Sequence, residues 1–203
     1  MLKIHVFSEK SSNFGSTIYE PMIIIESKRK KLETLQNEYP NAMIVDVTSH
    51  AQDDFVKFSP FYPHGGIPIP FTDNITAESV EGIWQGLKVF ENVGIDCHMF
   101  RIKDMKNIKR TTRKFGKILG HAKGIRSTEL LGYIDARKQI YLPSYKWVLD
   151  NKLQKLVTAI RVIAKNKPVV LLDYETNADV NNPKKPLSHA SLIKAYIEGN
   201  YPE

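Results

Sequence analysis

Residues 167–173 read Lys-Pro-Val-Val-Leu-Leu-Asp, and this stretch decides the fold. Its proline ends the preceding helical pattern, because proline removes a backbone donor and fixes φ. The short, fully apolar run Val169–Leu172 is typical of a central strand that is covered on both faces. Asp173 follows at the carboxyl end of that strand, where open sheets commonly bind ligands. The alternative for Asp173, and for the polar residues after it, is a loop that caps the next helix.

Amphipathic helices and further strands are expected around this central strand. Helices are expected over 26–39, from about 128 to 149 with a break or kink at Pro143, over 151–164, and over 188–198 with Gly199 at the end. Strands are expected at residues 2–7 and 42–47, and a loop at 173–186. With few strands and many helices, the class is α+β, or α/β with a small sheet.

A long irregular stretch is expected over residues 49–77. Several prolines and the pair Gly65-Gly66 exclude regular secondary structure there. The stretch is nevertheless rich in aromatic and aliphatic residues, and an apolar loop of this length is usually packed and often functional.

Ser79 is the expected N-cap of the most informative helix. Glu81, Gln85 and Lys88 stand at i, i+4 and i+7, which places them in one stripe beside the apolar positions. A carboxylate, an amide and an ammonium in a row could align a substrate and activate a water molecule. The alternative is a solvated helix face, which is the more common role of Glu and Lys.

Two glycines interrupt the same helix. Gly82 and Gly86 each cost about 1 kcal/mol relative to alanine in a helix interior. They therefore indicate that another backbone or a ligand approaches this helix closely.

Positive charge is concentrated in one segment. Ten basic residues and a single acid lie between Arg101 and Arg126, so the segment carries a formal charge of +9 in a chain of net charge +7. Such a segment attracts an anion, and phosphate in a nucleotide, a nucleic acid or a phosphosugar is the obvious candidate. Phe115, Ile118 and Leu119 interleave with the charges and predict that the segment folds against the body of the protein. A solvated basic face is the alternative.

Composition and missing motifs exclude several classes of protein. The 203 residues are 42% apolar and 25% charged, which is ordinary globular usage, and the single cysteine excludes an internal disulfide. No apolar run approaches the ~20 residues that a membrane span needs, and the first residues do not resemble a secretory signal, so a cytoplasmic protein is expected. Dinucleotide-binding, P-loop and nucleophile-elbow motifs are absent, and the histidines lack metal-ligand spacing, so no cofactor and no metal are expected.

Two motifs resemble the signature of the NADAR (YbiA-like) family. Phe58-Ser-Pro-Phe-Tyr-Pro63 resembles its Ser-Asn-Phe-Tyr-Pro loop, and Ser79-Val-Glu-Gly-Ile-Trp-Gln-Gly-Leu-Lys-Val-Phe90 resembles its Ser-Val-Glu-His-x-Tyr-Gln-x-x-Lys-Phe. Ile118-Leu-Gly-His121 and Leu171-Leu-Asp173 are similar to its later Leu-Gly-Arg and Leu-Val-Glu. The second motif also resembles an uncharacterised family of bacteria and phages. The NADAR resemblance spans about residues 58–195.

The NADAR resemblance implies a fold and a set of site residues. It implies a mainly helical α+β domain around a small sheet over residues 56–203. Residues 1–55 have no counterpart in this resemblance and are expected to form a β-rich N-terminal extension packed on that domain. It implies Glu81 and Asp173 as catalytic carboxylates with Lys88 beside Glu81. It also implies a substrate-binding set, namely Tyr62, Trp84, Gln85, His121, Tyr133, Arg137 and Asp179. The charge of the basic segment adds Arg101 and Lys106 as phosphate ligands.

The activity that the resemblance implies is that of an N-glycosidase. Such a hydrolase would cleave the bond between ribose C1′ and a base nitrogen in a phosphorylated or ADP-ribosylated nucleoside, through an oxocarbenium-like transition state. Two non-catalytic alternatives stay open: a nucleic-acid-binding protein that uses residues 101–126, and a module that binds a nucleotide or ADP-ribose without turnover. The sequence leaves the oligomeric state open.

Overall fold

A computed structural model describes residues 22–202 of the chain. Its strands are β1 (Ile23–Ser27), β2 (Met43–Asp46), β3 (Ile67–Pro68), β4 (Thr76–Ala77), β5 (Lys88–Phe90), β6 (Ile118–Ala122), β7 (Leu130–Leu131) and β8 (Val169–Asp173). Its α-helices are α1 (Leu32–Glu38), α2 (Val80–Gly86), α3 (Thr112–Phe115), α4 (Tyr133–Ala136), α5 (Leu142–Asn151), α6 (Gln154–Ala164) and α7 (His189–Glu198). Short 3-10 helices cover Asp54–Phe58 and Cys97–Arg101, and a π-helical turn covers Arg137–Tyr141. The predicted α+β class is confirmed.

Strand β8 is the centre of the main sheet. Strands β1 and β2 both pair with it in parallel, in the order β1-β8-β2. Val169 and Leu171 belong to the large core beneath α5, α6 and α7, whereas Val170 and Leu172 pack with Leu35 of α1. Because both faces are covered, the strand is apolar from Val169 to Leu172. The predicted central strand is confirmed, and the segment that precedes residue 47 supplies both of its neighbours.

Several other elements also lie where the sequence predicts them. The strand expected at 42–47 is β2, and the helices expected at 151–164 and 188–198 are α6 and α7. Gly199 ends α7 in the left-handed region, with φ 78°. The strand expected at residues 2–7 lies outside the described residues.

The irregular stretch at 49–77 packs into the core, as its composition predicts. Phe58, Ile67 and Ile69 are almost completely buried. The Tyr145 hydroxyl of α5 donates a hydrogen bond to the Phe58 carbonyl at 2.7 Å. Apart from the 3-10 helix and the β3–β4 hairpin, this part of the chain is irregular.

Helix α2 begins as predicted and ends early. The Ser79 hydroxyl caps it by accepting a hydrogen bond from the Gly82 N–H at 3.0 Å. The helix ends at Gly86, and the next residues form β5, which pairs antiparallel with β6 and sets Lys88 opposite His121. Lys88 therefore lies on a strand, and the expectation that it shares a helical stripe is wrong. The helical spacing continues past Gly86, but pairing with β6 decides the local structure.

Two helices start later than predicted, because sheet pairing takes their first residues. The last residues of β1 pair with β8, so α1 begins only at Leu32. Strand β7 pairs with β6, so the next helical stretch begins at Tyr133. That stretch runs through the π-helical turn to Asn151 without a break. Pro143 is the second residue of α5 and directly follows the π-helical turn, where the regular α-helical hydrogen-bond pattern is already interrupted.

The glycines of α2 allow the 3-10 helix Cys97–Arg101 to pack closely against it. A Cβ on Gly82 would lie 2.7 Å from the Met99 carbonyl oxygen, and a Cβ on Gly86 would lie 2.2 Å from Cε1 of Phe100. Of the two approaches that the sequence left open, the structure shows that of another backbone with its buried aromatic ring. This close packing fixes α2 against the residues that follow β5.

Replacing Gly86 by alanine is expected to lower the free energy of unfolding by about 1–3 kcal/mol, because the buried Phe100 ring must move. Urea unfolding measures the change. Gly94→Ala is the matched control, since a Cβ there meets nothing within 4 Å. Its effect is expected to stay within about 0.5 kcal/mol. Equal losses in the two variants would contradict this account of the glycine.

Candidate active site

A cavity lies at the carboxyl edge of the main sheet. It has a volume of about 540 Å³. Asp173 at the end of β8, the first turn of α2 and the π-helical turn contribute to its wall, and so do the loops after β1 and β2. The polar side chains that line it include Arg29, Glu81, Lys88, Lys109, Tyr141 and Asp173. The predicted carboxylates and Lys88 are therefore brought to one cavity.

A chain of hydrogen bonds joins Glu81 to Lys88. The Gln85 side-chain amide donates from Nε2 to Glu81 Oε1 at 2.8 Å, and Lys88 Nζ donates to Gln85 Oε1 at 3.0 Å. All three side chains are buried. Burial raises the pKa of Glu81 above its ordinary 4.5, and burial lowers the pKa of Lys88 below its ordinary 10.5. The charge of each group partly offsets the pKa shift of the other, and both pKa values shift toward neutral pH.

Arg110 holds this chain of hydrogen bonds in place. Its backbone N–H donates to Gln85 Oε1 at 3.1 Å, so that oxygen accepts from two donors and the amide nitrogen is directed to Glu81. Its guanidinium donates to the carbonyls of Gln85 and Lys88 at 3.0 and 2.7 Å, and to that of Gly94 at 2.8 Å. Arg110 is therefore a buried structural residue within the basic segment, and nothing in the sequence separates it from its exposed neighbours.

Asp173 lines the cavity, and its carboxylate is held by the start of α7. Oδ1 accepts from the Tyr174 N–H at 2.7 Å, and Oδ2 accepts from the Ser188 hydroxyl at 2.8 Å and the Ala190 N–H at 3.3 Å. His189 Nδ1 lies 3.0 Å from Oδ2, and its Nε2 lies 2.8 Å from the Val47 carbonyl oxygen. Because both ring nitrogens face acceptors, His189 is an imidazolium paired with Asp173.

This pairing shifts the pKa values of Asp173 and His189 in opposite directions. Despite desolvation, the charge of Asp173 raises the pKa of His189 above 6.5, and His189 holds the pKa of Asp173 below 3.8. Asp173 thus lines the cavity and also accepts hydrogen bonds from the start of α7. The two roles that the sequence gave as alternatives for it occur together.

Arg137 fixes the loop between β8 and α7. Its guanidinium donates to four carbonyls of that loop, those of Asp179, Val180, Asn182 and Lys185, at 2.7 to 3.4 Å. It also donates to the Tyr133 hydroxyl at 2.8 Å. Arg137 lines the cavity, but its guanidinium donates its hydrogen bonds to the loop. Asp179, by contrast, is exposed and does not line this cavity or the smaller one beside it.

A smaller cavity of about 310 Å³, called the second chamber below, adjoins the first. Trp84, Lys88 and Tyr133 line both cavities, and the second chamber is completed by Ile118–His121 and Gly132. The His121 ring packs on Trp84 with 3.8 Å between ring centroids. Ile118 and Leu119 belong to β6 and are 41% and 52% exposed at the wall of this chamber.

Most of the basic segment lies away from both cavities. Arg101, Lys106 and the predicted binding residue Tyr62 line neither cavity. Lys109 lines the first cavity, with its ammonium 5.6 Å from the Phe61 ring centroid. Phe115 contacts Phe90 and follows the prediction that the segment folds on the body. Nucleic-acid binding by residues 101–126 stays a prediction.

Arg29 and Tyr141 are among the cavity residues that sequence reasoning missed. Arg29, from the loop after β1, lines the cavity and donates to the Tyr174 carbonyl. Tyr141 ends the π-helical turn, a conformation often found at functional sites. Burial raises the pKa of its hydroxyl well above 10.0, so it stays a donor. The sequence contains no signal for a π-helical turn. Nothing in the sequence distinguishes Arg29 from the other charged residues around it.

A family model matches residues 27–193 and carries the description "Family of unknown function (DUF6939)". The chain belongs to this family. Searches of curated proteins and of solved structures found no match. The DUF6939 match begins at the last residue of β1 and ends inside α7, so it includes β2, β8 and the residues that line both cavities. The NADAR resemblance stays a prediction.

None of the helices within residues 22–202 has the length and apolar character needed to cross a bilayer. The same part of the chain contains no group of three or more His, Cys, Asp or Glu side chains that could hold a metal ion.

Replacing Asp173 by asparagine is expected to lower the free energy of unfolding by about 3–5 kcal/mol near pH 6, because it leaves a buried imidazolium without its counter-charge. The pKa of His189 is raised, so this stabilisation is complete below 6.5 and declines as pH rises through the raised value. The difference between variant and wild type should therefore shrink with rising pH. Urea unfolding at about pH 6 and about pH 9 measures it.

Asp179→Asn is the control, since Asp179 lies exposed in the same loop and its Oδ1 accepts from the Asn181 N–H at 2.8 Å, a bond that asparagine retains. Its effect is expected to stay within about 0.5 kcal/mol. A pH-independent loss in Asp173→Asn would contradict the imidazolium assignment.

Proposed function

We propose that this chain is an N-glycosidase that hydrolyses the bond between ribose C1′ and a base nitrogen in a phosphorylated or ADP-ribosylated nucleoside. The observation that carries the proposal is the buried chain Glu81–Gln85–Lys88, which runs from the first cavity to the wall that it shares with the second chamber. The NADAR resemblance of residues 58–195 supports the same reaction.

Glu81 is assigned to the water. In the proposed reaction a water oxygen bonds to C1′ as the C1′–N bond breaks, and Glu81 takes a proton from that water. A carboxylate also stabilises the positive charge that develops on the ribose. Burial raises the pKa of Glu81 toward neutral pH, which makes it a stronger base than an exposed carboxylate while Lys88 and Gln85 favour its ionised form.

Lys88 is assigned to the departing base. The electron pair of the broken bond stays on the base nitrogen, and a proton must be supplied there. The Lys88 ammonium lines both cavities, and its pKa is lowered by burial, so it gives up a proton more readily than an exposed lysine. The products are a ribose with a C1′ hydroxyl and the free base.

The remaining cavity residues are assigned to binding. Arg29 and Lys109 are exposed cations in the wall of the first cavity and suit phosphate oxygens. The Tyr141 hydroxyl is a donor for the ribose. Asp173 is assigned to positioning, because its two oxygens already accept hydrogen bonds from the start of α7 and from Tyr174.

Glu81→Gln is expected to slow base release by about a hundredfold to ten-thousandfold, because the amide accepts no proton from water. Mass spectrometry of wild type and variant after incubation with ADP-ribosylated guanosine, NAD⁺ and phosphorylated ribosylaminopyrimidines measures released base. Glu78→Gln, three residues before and outside both cavities, is the matched control and should retain the wild-type rate. Full activity in Glu81→Gln, with thermal unfolding unchanged, would falsify the assignment.

The pH profile of kcat/KM is expected to be bell-shaped, because Glu81 must be ionised and Lys88 must be protonated. The acid limb should lie above pH 4.5, since burial raises the pKa of Glu81. The alkaline limb should lie below pH 10.5, since burial lowers the pKa of Lys88. Lys88→Arg should lower kcat, because a guanidinium gives up no proton in this pH range, and the residual activity should lack the alkaline limb. An alkaline limb that persists in this variant assigns it to another group.

A further inference from the structure

The second chamber differs in character from the first cavity. Its walls are the rings of Trp84 and Tyr133, the aliphatic side chains of Ile118 and Leu119, and glycine backbone. Lys88 is the charged residue among the side chains that line it, whereas the first cavity is lined by several charges of both signs. The chamber therefore suits a flat, uncharged group, and stacking on aromatic rings is the usual way in which proteins hold such a group.

His121 is the unexplained residue of this chamber. It is 1% exposed, and neither of its ring nitrogens has a hydrogen-bond partner among the described residues. A buried polar atom without a partner destabilises a fold, and such groups require an explanation. The ring also packs on Trp84, a contact that an apolar ring would make equally well.

The form of His121 limits what it can bind. Burial, with Lys88 nearby, lowers its pKa to about 3, so the imidazole is neutral near pH 7. A neutral imidazole presents one donor and one acceptor. The edges of nucleobases and related nitrogen heterocycles carry both kinds of group.

We propose that the second chamber holds the departing base, a planar and uncharged nitrogen heterocycle, and that His121 is its hydrogen-bonding partner. This inference rests on the proposed function. The wall shared by the two cavities contains Lys88, so the C1′–N bond lies at their junction, with the ribose and phosphates in the first cavity and the base in the chamber. His121 is thereby a specificity residue that selects the base.

Binding of free bases tests the chamber without any turnover. The chain has two tryptophans, and Trp147 lines neither cavity, so Trp147→Phe leaves Trp84 as the single tryptophan. Titration of this protein with adenine, hypoxanthine, cytosine and nicotinamide is followed by tryptophan fluorescence. Saturable quenching by at least one of these bases is expected, because a base in the chamber stacks on Trp84.

Variants of His121 then separate binding from packing. His121→Phe is expected to weaken binding of that base by about tenfold or more, because it loses the hydrogen bonds. It is also expected to raise the melting temperature, because it removes two unpartnered buried nitrogens. His121→Gln keeps a donor and an acceptor and should retain most of the affinity. His64→Phe is the control: His64 lies outside both cavities and its Nε2 lies 2.8 Å from the Lys57 carbonyl, so this change should lower stability and leave binding unchanged.

The outcomes separate this inference from the proposed function. Absence of quenching by every base, or equal affinity in wild type and His121→Phe, overturns the chamber assignment even if the protein releases base from a nucleoside. Quenching that depends on His121, in a protein that releases no base, overturns the N-glycosidase and with it the assignment of the base as a leaving group. Release of base together with His121-dependent quenching supports both.

Discussion

The parallel pairing of β8 with β1 and β2 is the constraint on which the rest of the structure depends. Parallel strands bring their carboxyl ends to one edge of the sheet, and a crossover connection must join them. The whole segment between β2 and β8 forms one such connection, and it contains the β3–β4 hairpin, α2, the sheet β5-β6-β7 and the basic segment. Arg29, Ser49 and Asp173, which are far apart in sequence, therefore line one cavity with Glu81. The segment that contains β1 and β2 is in this way part of the site.

Burial of Glu81 imposes the second constraint. An isolated buried carboxylate is costly, so its surroundings must either neutralise it or compensate its charge. Here the Gln85 side chain links the carboxylate to positive charge. It donates a hydrogen bond to Glu81 and accepts hydrogen bonds from the Lys88 ammonium and the Arg110 backbone N–H. Arg110 in turn satisfies the carbonyls where α2 gives way to β5. A helix end, a strand start and a candidate catalytic group are thus fixed by the same few hydrogen bonds.

Local patterns predicted the elements that local interactions decide. The apolar run at 169–172, the Ser79 cap and the Gly199 stop needed no partner to be recognised. The grouping of Glu81 with Gln85 and Asp173 in one region also followed from their positions on elements. The predicted neighbourhood of Lys88 and Gln85 is correct, but the helical stripe is not its cause. Lys88 lies on β5, and the change from helix to strand still leaves its ammonium within hydrogen-bond distance of Gln85.

Distant partners decide the features that the sequence missed. The burial of Arg110 and the loop contacts of Arg137 depend on residues tens of positions away. The division of charge between the two cavities is a feature of this kind. In the proposed reaction the charged part of the substrate is the phosphorylated ribose and the neutral part is the base, so a polar cavity and an apolar chamber that share Lys88 match the two halves of one molecule. The ammonium at the shared wall then lies where the bond between those halves breaks, and this division of charge favours an N-glycosidase over a surface that binds polyanions along the exposed basic segment.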